Sequence, residues 1–169
     1  FNGDSSMSVL KVDQIQNTAA GDGVHIPGHQ VQLVHSTNTQ TNVNSPSNTE
    51  WNPITTQTLS ITPKYASSII KVELYVNILL NDVTYAGAGI RRDSTDIGYF
   101  WGYNVNASWR AWSPSIAVID TPNTTNAITY KPIANMTGAN TGHYLWNYQG
   151  PVSNLPLRAT RMIATEIAQ

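Results

Sequence analysis

The 169-residue sequence predicts an all-β fold: an antiparallel β-sandwich or jelly-roll-like domain behind a short extended N-terminal connector. Three observations predict it. Ile69–Leu80 alternates, with Val72, Leu74, Val76, Ile78 and Leu80 on one face and Lys71, Glu73, Tyr75 and Asn77 on the other. A period of two over that length excludes a helix, whose period is 3.6. The polar residues are mostly neutral Asn, Thr, Ser and Gln, which suit strands and turns better than helices. Finally, turn clusters recur about every 8–12 residues, the spacing of a sandwich or small barrel.

The elements follow in order. Ser8–Gln16 is one short stretch with Leu10 and Val12 in phase, bounded by the turn signals Asp22-Gly23 and Pro27-Gly28. A lone strand between turns cannot bury itself, so residues 1–28 read as a connector that packs on neighbouring subunits. Residues 29–169 read as the sandwich domain. His29–His35 sets Val31 and Leu33 on one face and Gln30 and Gln32 on the other. Ser36–Trp51 is a polar loop, long for a compact domain. Thr55–Ile61 alternates through Leu59 and Ile61 and stops at Pro63. Ile69–Leu80 is the central strand, and burying its five apolar side chains is worth about 7–15 kcal/mol gross, before entropy. Asn81-Asp82 then turns the chain into Tyr85–Arg92, and a loop Asp93–Asp96 returns it through Ile97–Tyr103. Further strands are expected at Ser115–Ile119, Ala127–Ala134, Tyr144–Tyr148 and Leu157–Ile167. The turns Asp120–Asn126, Thr137–Gly142 and Gln149–Pro156 separate them.

Composition excludes several functions. Charged residues are 11% of the chain and the net charge is −1, so no basic face exists to neutralise phosphates or anionic lipid. Nucleic-acid binding and membrane insertion are therefore not expected. No apolar run is long enough for a bilayer-spanning helix, and the N-terminus has no signal-peptide pattern. With no cysteine, disulfides, thiolate chemistry and Cys-based zinc sites are absent.

Two stretches resemble fibre proteins of marine bacteriophages, notably those infecting cyanobacteria. The first is Ser8–Gln16 with Asn17 and Thr18, followed by Ile26-Pro27-Gly28. The second is Leu59-Ser60-Ile61-Thr62-Pro63 with Ser67-Ser68-Ile69-Ile70-Lys71-Val72, where Ile69 departs from the family's Lys. A last strand ending Ala164-Thr165-Glu166-Ile167 is also similar, whereas residues 81–156 match no pattern. The resemblance implies a homotrimer on the virion that meets other virion proteins and a host-cell surface receptor, a glycan being expected. Met7 opens the family-like segment, so residues 1–6 are either a tag remnant or the end of an upstream shaft.

The leading candidate site is aromatic: Tyr99, Phe100, Trp101, Tyr103, Trp109 and Trp112, with Arg91, Arg92, Asp93, Asp96, Asn104, Asn106 and Arg110 as polar complement. Rings stack on the apolar C–H faces of sugars, and Trp and Tyr offer contact area at low entropy cost. For any single ring the alternative is core or interface packing. The run is expected on exposed loops at the end opposite the connector. His25 and His29 have an H-x3-H spacing, but Pro27-Gly28 forbids a helix and no further ligand completes a metal set. Asp93 and Asp96 could be drawn as a glycosidase pair, yet both are favoured turn residues. No nucleophile turn is present. Neither catalysis, metal nor cofactor is expected, and the polysaccharide-depolymerase reading ranks last. Asn106, Asn123 and Asn135 match the N-glycosylation pattern by chance in so Asn- and Thr-rich a chain. The expected function is attachment to the host surface without catalysis. A purely structural virion protein, decorating a capsid or capping a fibre, is the alternative.

Overall fold

A computed structural model describes residues 26–38, 51–54, 57–103, 110–146 and 159–169. Most of the connector, most of the 36–51 loop, His25, Trp109 and the turn at 149–156 lie outside the described residues. So do the side chains of Leu80 and Tyr103. Ten strands and no helix are formed among the described residues: β1 (Gln30–Asn38), β2 (Asn52–Pro53), β3 (Leu59–Ile61), β4 (Ile69–Tyr75), β5 (Ile78–Arg92), β6 (Thr95–Tyr103), β7 (Arg110–Trp112), β8 (Ser115–Asp120), β9 (Ile128–Trp146) and β10 (Thr160–Ile167). Sheet A has the order β1-β10-β4-β8. Sheet B has the order β2-β9-β5-β6, with β3 on β9 and β7 on β5. Every pairing is antiparallel. The chain is a β-sandwich, as its periodicity predicts.

The long alternating stretch Ile69–Leu80 is one ribbon but two strands. β4 pairs β8 as Tyr75↔Ser115, and β5 pairs β7 as Ile78↔Trp112, in one unbroken register. Between them, Val76-Asn77 and Ser113-Pro114 carry both strands from sheet A to sheet B. The corner is tied by Val76 N donating to Pro114 O at 3.2 Å and Ser113 Oγ donating to Asn77 Oδ1 at 2.9 Å. Pro114 has no N–H to leave unpaired at the bend. The alternation persists because both halves line one interior: Val72, Leu74, Val76 and Ile78 are all buried. Ile70, Met162, Ala164 and Ile116 complete sheet A's side of that core, and Ala86, Ala88, Ile90, Ile128 and Tyr130 complete sheet B's.

Other sequence expectations are corrected. Asn81-Asp82 does not turn the chain but sits in a ladder irregularity within β5, and the strands expected at 127–134 and 144–148 are one strand, β9. The register steps from Val83↔Gly138 to Asn81↔His143, so the turn-rich residues 139–142 are absorbed as a bulge. In β1, Leu33 points outward and is 50% exposed. The inward position goes to Gln32, whose Nε2 donates to Glu166 Oε2 at 2.6 Å and to Thr62 O at 2.7 Å. The loop at 93–96 tightens to Asp93-Ser94, since Arg92 pairs directly with Thr95. Positive φ at Asp93 (50°) suits the first central position of a hairpin turn. The Pro-Gly turn is as expected: His29 N donates to Ile26 O, and Gly28 takes φ 78°, which type II geometry requires.

Two polar clusters fix the end at which β1 begins. Glu166 is fully buried, and its Oε1 accepts Lys64 N (2.7 Å) and Tyr65 N (3.2 Å). It thereby ties the turn after β3 to β10. Asp120 on sheet A accepts Arg92 Nη1 and Tyr130 Oη, each at 2.7 Å, from sheet B. Burial, and then the bond to Asp120, push the Tyr130 phenol far above its ordinary range.

Val76→Asp should abolish folding, because an unpaired carboxylate in that interior costs several kcal/mol. Loss of the far-ultraviolet β signal and of a cooperative melt is the expected readout. Glu166→Ala should lower stability by about 2–4 kcal/mol by orphaning two amide donors and Gln32. Urea unfolding measures it.

Candidate aromatic site on the outer face of sheet B

β5 alternates small residues on both faces. Ala86, Ala88 and Ile90 face the core, so Gly87, Gly89 and Arg91 face outward. Across the ladders, Gly87 sits between Asn135 and Trp101, Gly89 between Ile133 and Tyr99, and Arg91 between Lys131 and Asp96. Two glycines in the middle strand leave a trough between taller neighbours. Trp51, just before β2, fills it. Its ring lies 5.2 Å from that of Tyr99 and 5.1 Å from that of Trp101, and a Cβ at Gly87 would overlap its Cη2. Gly89 is equally constrained, since a Cβ there would stand 2.6 Å from Gly98 O and 3.0 Å from Ile133 Cγ1.

The floor and walls differ in polarity. Ile133 is fully buried on this outer face, apart from the core cluster. Asn135 is also buried, and its Oδ1 has no hydrogen-bond partner among the described residues. Tyr99 is 60% and Trp101 38% exposed, and Tyr85 is exposed in the next row. At one end Arg91 forms an ion pair with Asp96 and donates through Nη2 to Trp51 O at 3.1 Å. The Asp96 bond raises the already high Arg91 pKa, so the guanidinium is permanently charged. The result is a partly exposed aromatic wall beside charged and amide groups. Such a surface can stack on a flat apolar face and bond the hydroxyls around it.

The structure brings Arg91, Asp96, Tyr99 and Trp101 together from the sequence-derived set. Arg92 instead ties the two sheets through Asp120, and Asp93 accepts Thr129 N at 3.0 Å as part of the hairpin. Asp93 and Asp96 thus serve different structural partners, one a backbone amide and the other a guanidinium. Trp112 packs toward the core, with Phe100 at 5.6 Å and the glycine at 102 beneath it. The Tyr103 side chain and Trp109 are outside the described residues. Trp51 was missed: it reads as the last residue of a polar loop, and only its register one step before β2 places it over the glycines. The expected location is also corrected. Tyr99–Tyr103 belongs to strand β6, as the expected return through Ile97–Tyr103 requires, and not to an exposed loop, and the 93–94 hairpin lies at the end of the sandwich where Arg92 meets Asp120 and β1 starts. His29 lies in the turn before β1, and no cluster of three metal-ligating side chains occurs among the described residues.

Gly87→Ala should drive the Trp51 indole out of the trough. Overpacking of this kind costs about 1–3 kcal/mol. Tryptophan fluorescence should shift to the red while the β-sheet signal is retained. An unchanged spectrum would mean that Trp51 does not occupy the trough in solution.

No family model matches the chain, and no curated protein matches it. Among solved structures, one that matches is a chain from the structure of infectious bursal disease virus Gx strain, with 14% identity and a TM-score of 0.32. That alignment covers 81% of this chain, which spans 38% of the other. A likeness this distant carries no functional information.

Proposed function

We propose that this chain is a virion attachment domain, on a bacteriophage fibre or spike, that binds a host-surface glycan without catalysis. The observation that carries the binding role is the partly exposed Trp51–Tyr99–Trp101 wall on the outer face of sheet B. Large aromatic groups left on a sheet face beside fixed polar groups mark interaction surfaces. The virion setting rests on the fibre-like segments at 8–18, 59–72 and 164–167. In a homotrimer joined through residues 1–28, three such faces would engage one cell surface, and linkage would multiply a weak single-site affinity. Because the wall is on the side of the domain, contact would be lateral to the connector rather than only at the far tip.

Trp101→Ala should weaken adsorption of the purified protein to candidate host cells by about 2 kcal/mol per site, near thirtyfold. Its melting temperature should fall only by about 2–4 °C, the cost of one aromatic pair. Periodate oxidation of the cell-surface sugars should abolish binding of the unaltered protein. Adsorption that survives both treatments would replace this reading with a purely structural virion role. Sedimentation should give a trimer, and a monomer at micromolar concentration would contradict the assembly.

A further inference from the structure

Sheet A presents its own outer face, and one end of it forms a cleft of about 400 Å³ lined by Leu33, His35, Ser36, Thr37, Arg161 and Ile163. That volume falls within the rough 300–1,000 Å³ span of small-ligand sites. The lining follows from strand parity. β1 sends Leu33, His35 and Thr37 outward, and β10 sends Arg161 and Ile163 outward, with His35 opposite Ile163 and Thr37 opposite Arg161. The inward turn of Gln32 toward Glu166 sets this phase and leaves Leu33 exposed.

The chemistry of the cleft is one-sided. Arg161 forms no ion pair among the described residues. Glu73, one strand further on, is engaged by Lys71 Nζ at 3.0 Å and by Tyr75 Oη at 3.2 Å. A guanidinium with no ion pair among the described residues therefore lines the cleft together with the apolar Leu33 and Ile163, a threonine hydroxyl and an imidazole. Guanidinium favours carboxylates through paired, parallel hydrogen bonds. The apolar pair suits the C–H face of a sugar ring, and Thr37 and His35 can bond its hydroxyls. The cleft lies toward the end of the sheet where β1 ends and β10 begins.

We propose that this cleft is a second ligand site, specific for a carboxylated sugar residue, with Arg161 holding the carboxylate and Leu33 and Ile163 carrying the ring. It is separate from the aromatic wall of sheet B and does not depend on it.

The test is calorimetric titration of the full chain with trigalacturonate and with the same trisaccharide methyl-esterified. The acid should bind at millimolar concentration or better, and the ester at least tenfold more weakly. Arg161→Gln should lose at least tenfold in affinity for the acid, and His35→Gln should also weaken it if the first variant proves unstable. Equal binding of acid and ester, undiminished affinity in both variants, or no binding of the acid would overturn the proposal. Displacement of the sugar by equimolar inorganic phosphate would overturn it too, by revealing a general anion site. Loss of acid binding in Trp101→Ala but not in Arg161→Gln would move the site to sheet B, likewise refuting it.

Discussion

Everything in this domain hangs on a ribbon that changes sheets. β4 with β8 and β5 with β7 form one continuous antiparallel ladder, bent at Val76-Asn77 and Ser113-Pro114. Because the bend keeps register, the residues that face inward in sheet A still face inward in sheet B. The two sheets therefore share a single apolar interior, and each is left with an outer face of its own. A slip of one residue at the corner would turn one sheet's apolar side to water. The two hydrogen bonds at Val76 and Ser113 hold the corner in place, and Pro114 leaves no unpaired N–H there.

The outer faces then differ for local reasons. In sheet B, glycine at 87 and 89 removes the side chains that would fill the space between β9 and β6, and Trp51 occupies the gap. Indole, phenol and guanidinium groups converge there because the ladder puts Trp101, Tyr99 and Asp96 in successive rows. Sheet A's cleft has a different origin. Its face is set by β1, where Gln32 is drawn inward by the buried Glu166 carboxylate and Leu33 is turned out. One buried side chain thus influences a surface on the opposite side of the sheet.

Much of this was legible in the sequence, and the reasons for the failures are physical. Alternation from Val72 to Ile78 gave the inward face correctly, although it could not register the corner, since a strand that changes sheets keeps its period. A hairpin at 93–96, closed more tightly in the structure at Asp93-Ser94, and the Pro27-Gly28 turn followed from turn chemistry. The Asn81-Asp82 and Thr137–Gly142 signals misled, because a long paired strand absorbs turn-forming residues as a bulge when its flanks stay bonded. In β1 alternation separates Leu33 from Gln32 but does not say which faces inward, and the bond from Gln32 to the buried Glu166 is a long-range contact that the local sequence does not show. Among the site residues, Arg91, Asp96, Tyr99 and Trp101 were found by clustering in sequence. Trp51 was not, being forty residues upstream of Arg91 and joined to it only by the sheet.

The central claim is that ligand recognition occurs on a strand face built around Gly87, with Trp51 and Trp101 as its aromatic groups. The chain contains five tryptophans, so their indole N–H resonances form a small reporter set. Titration of the labelled protein with purified host-surface polysaccharide, followed by nuclear magnetic resonance, tests the claim directly. The account predicts that the Trp51 and Trp101 indole signals move together with increasing ligand while that of the core-packed Trp112 stays fixed. Movement of the Trp112 signal with Trp51 and Trp101 unperturbed would contradict it.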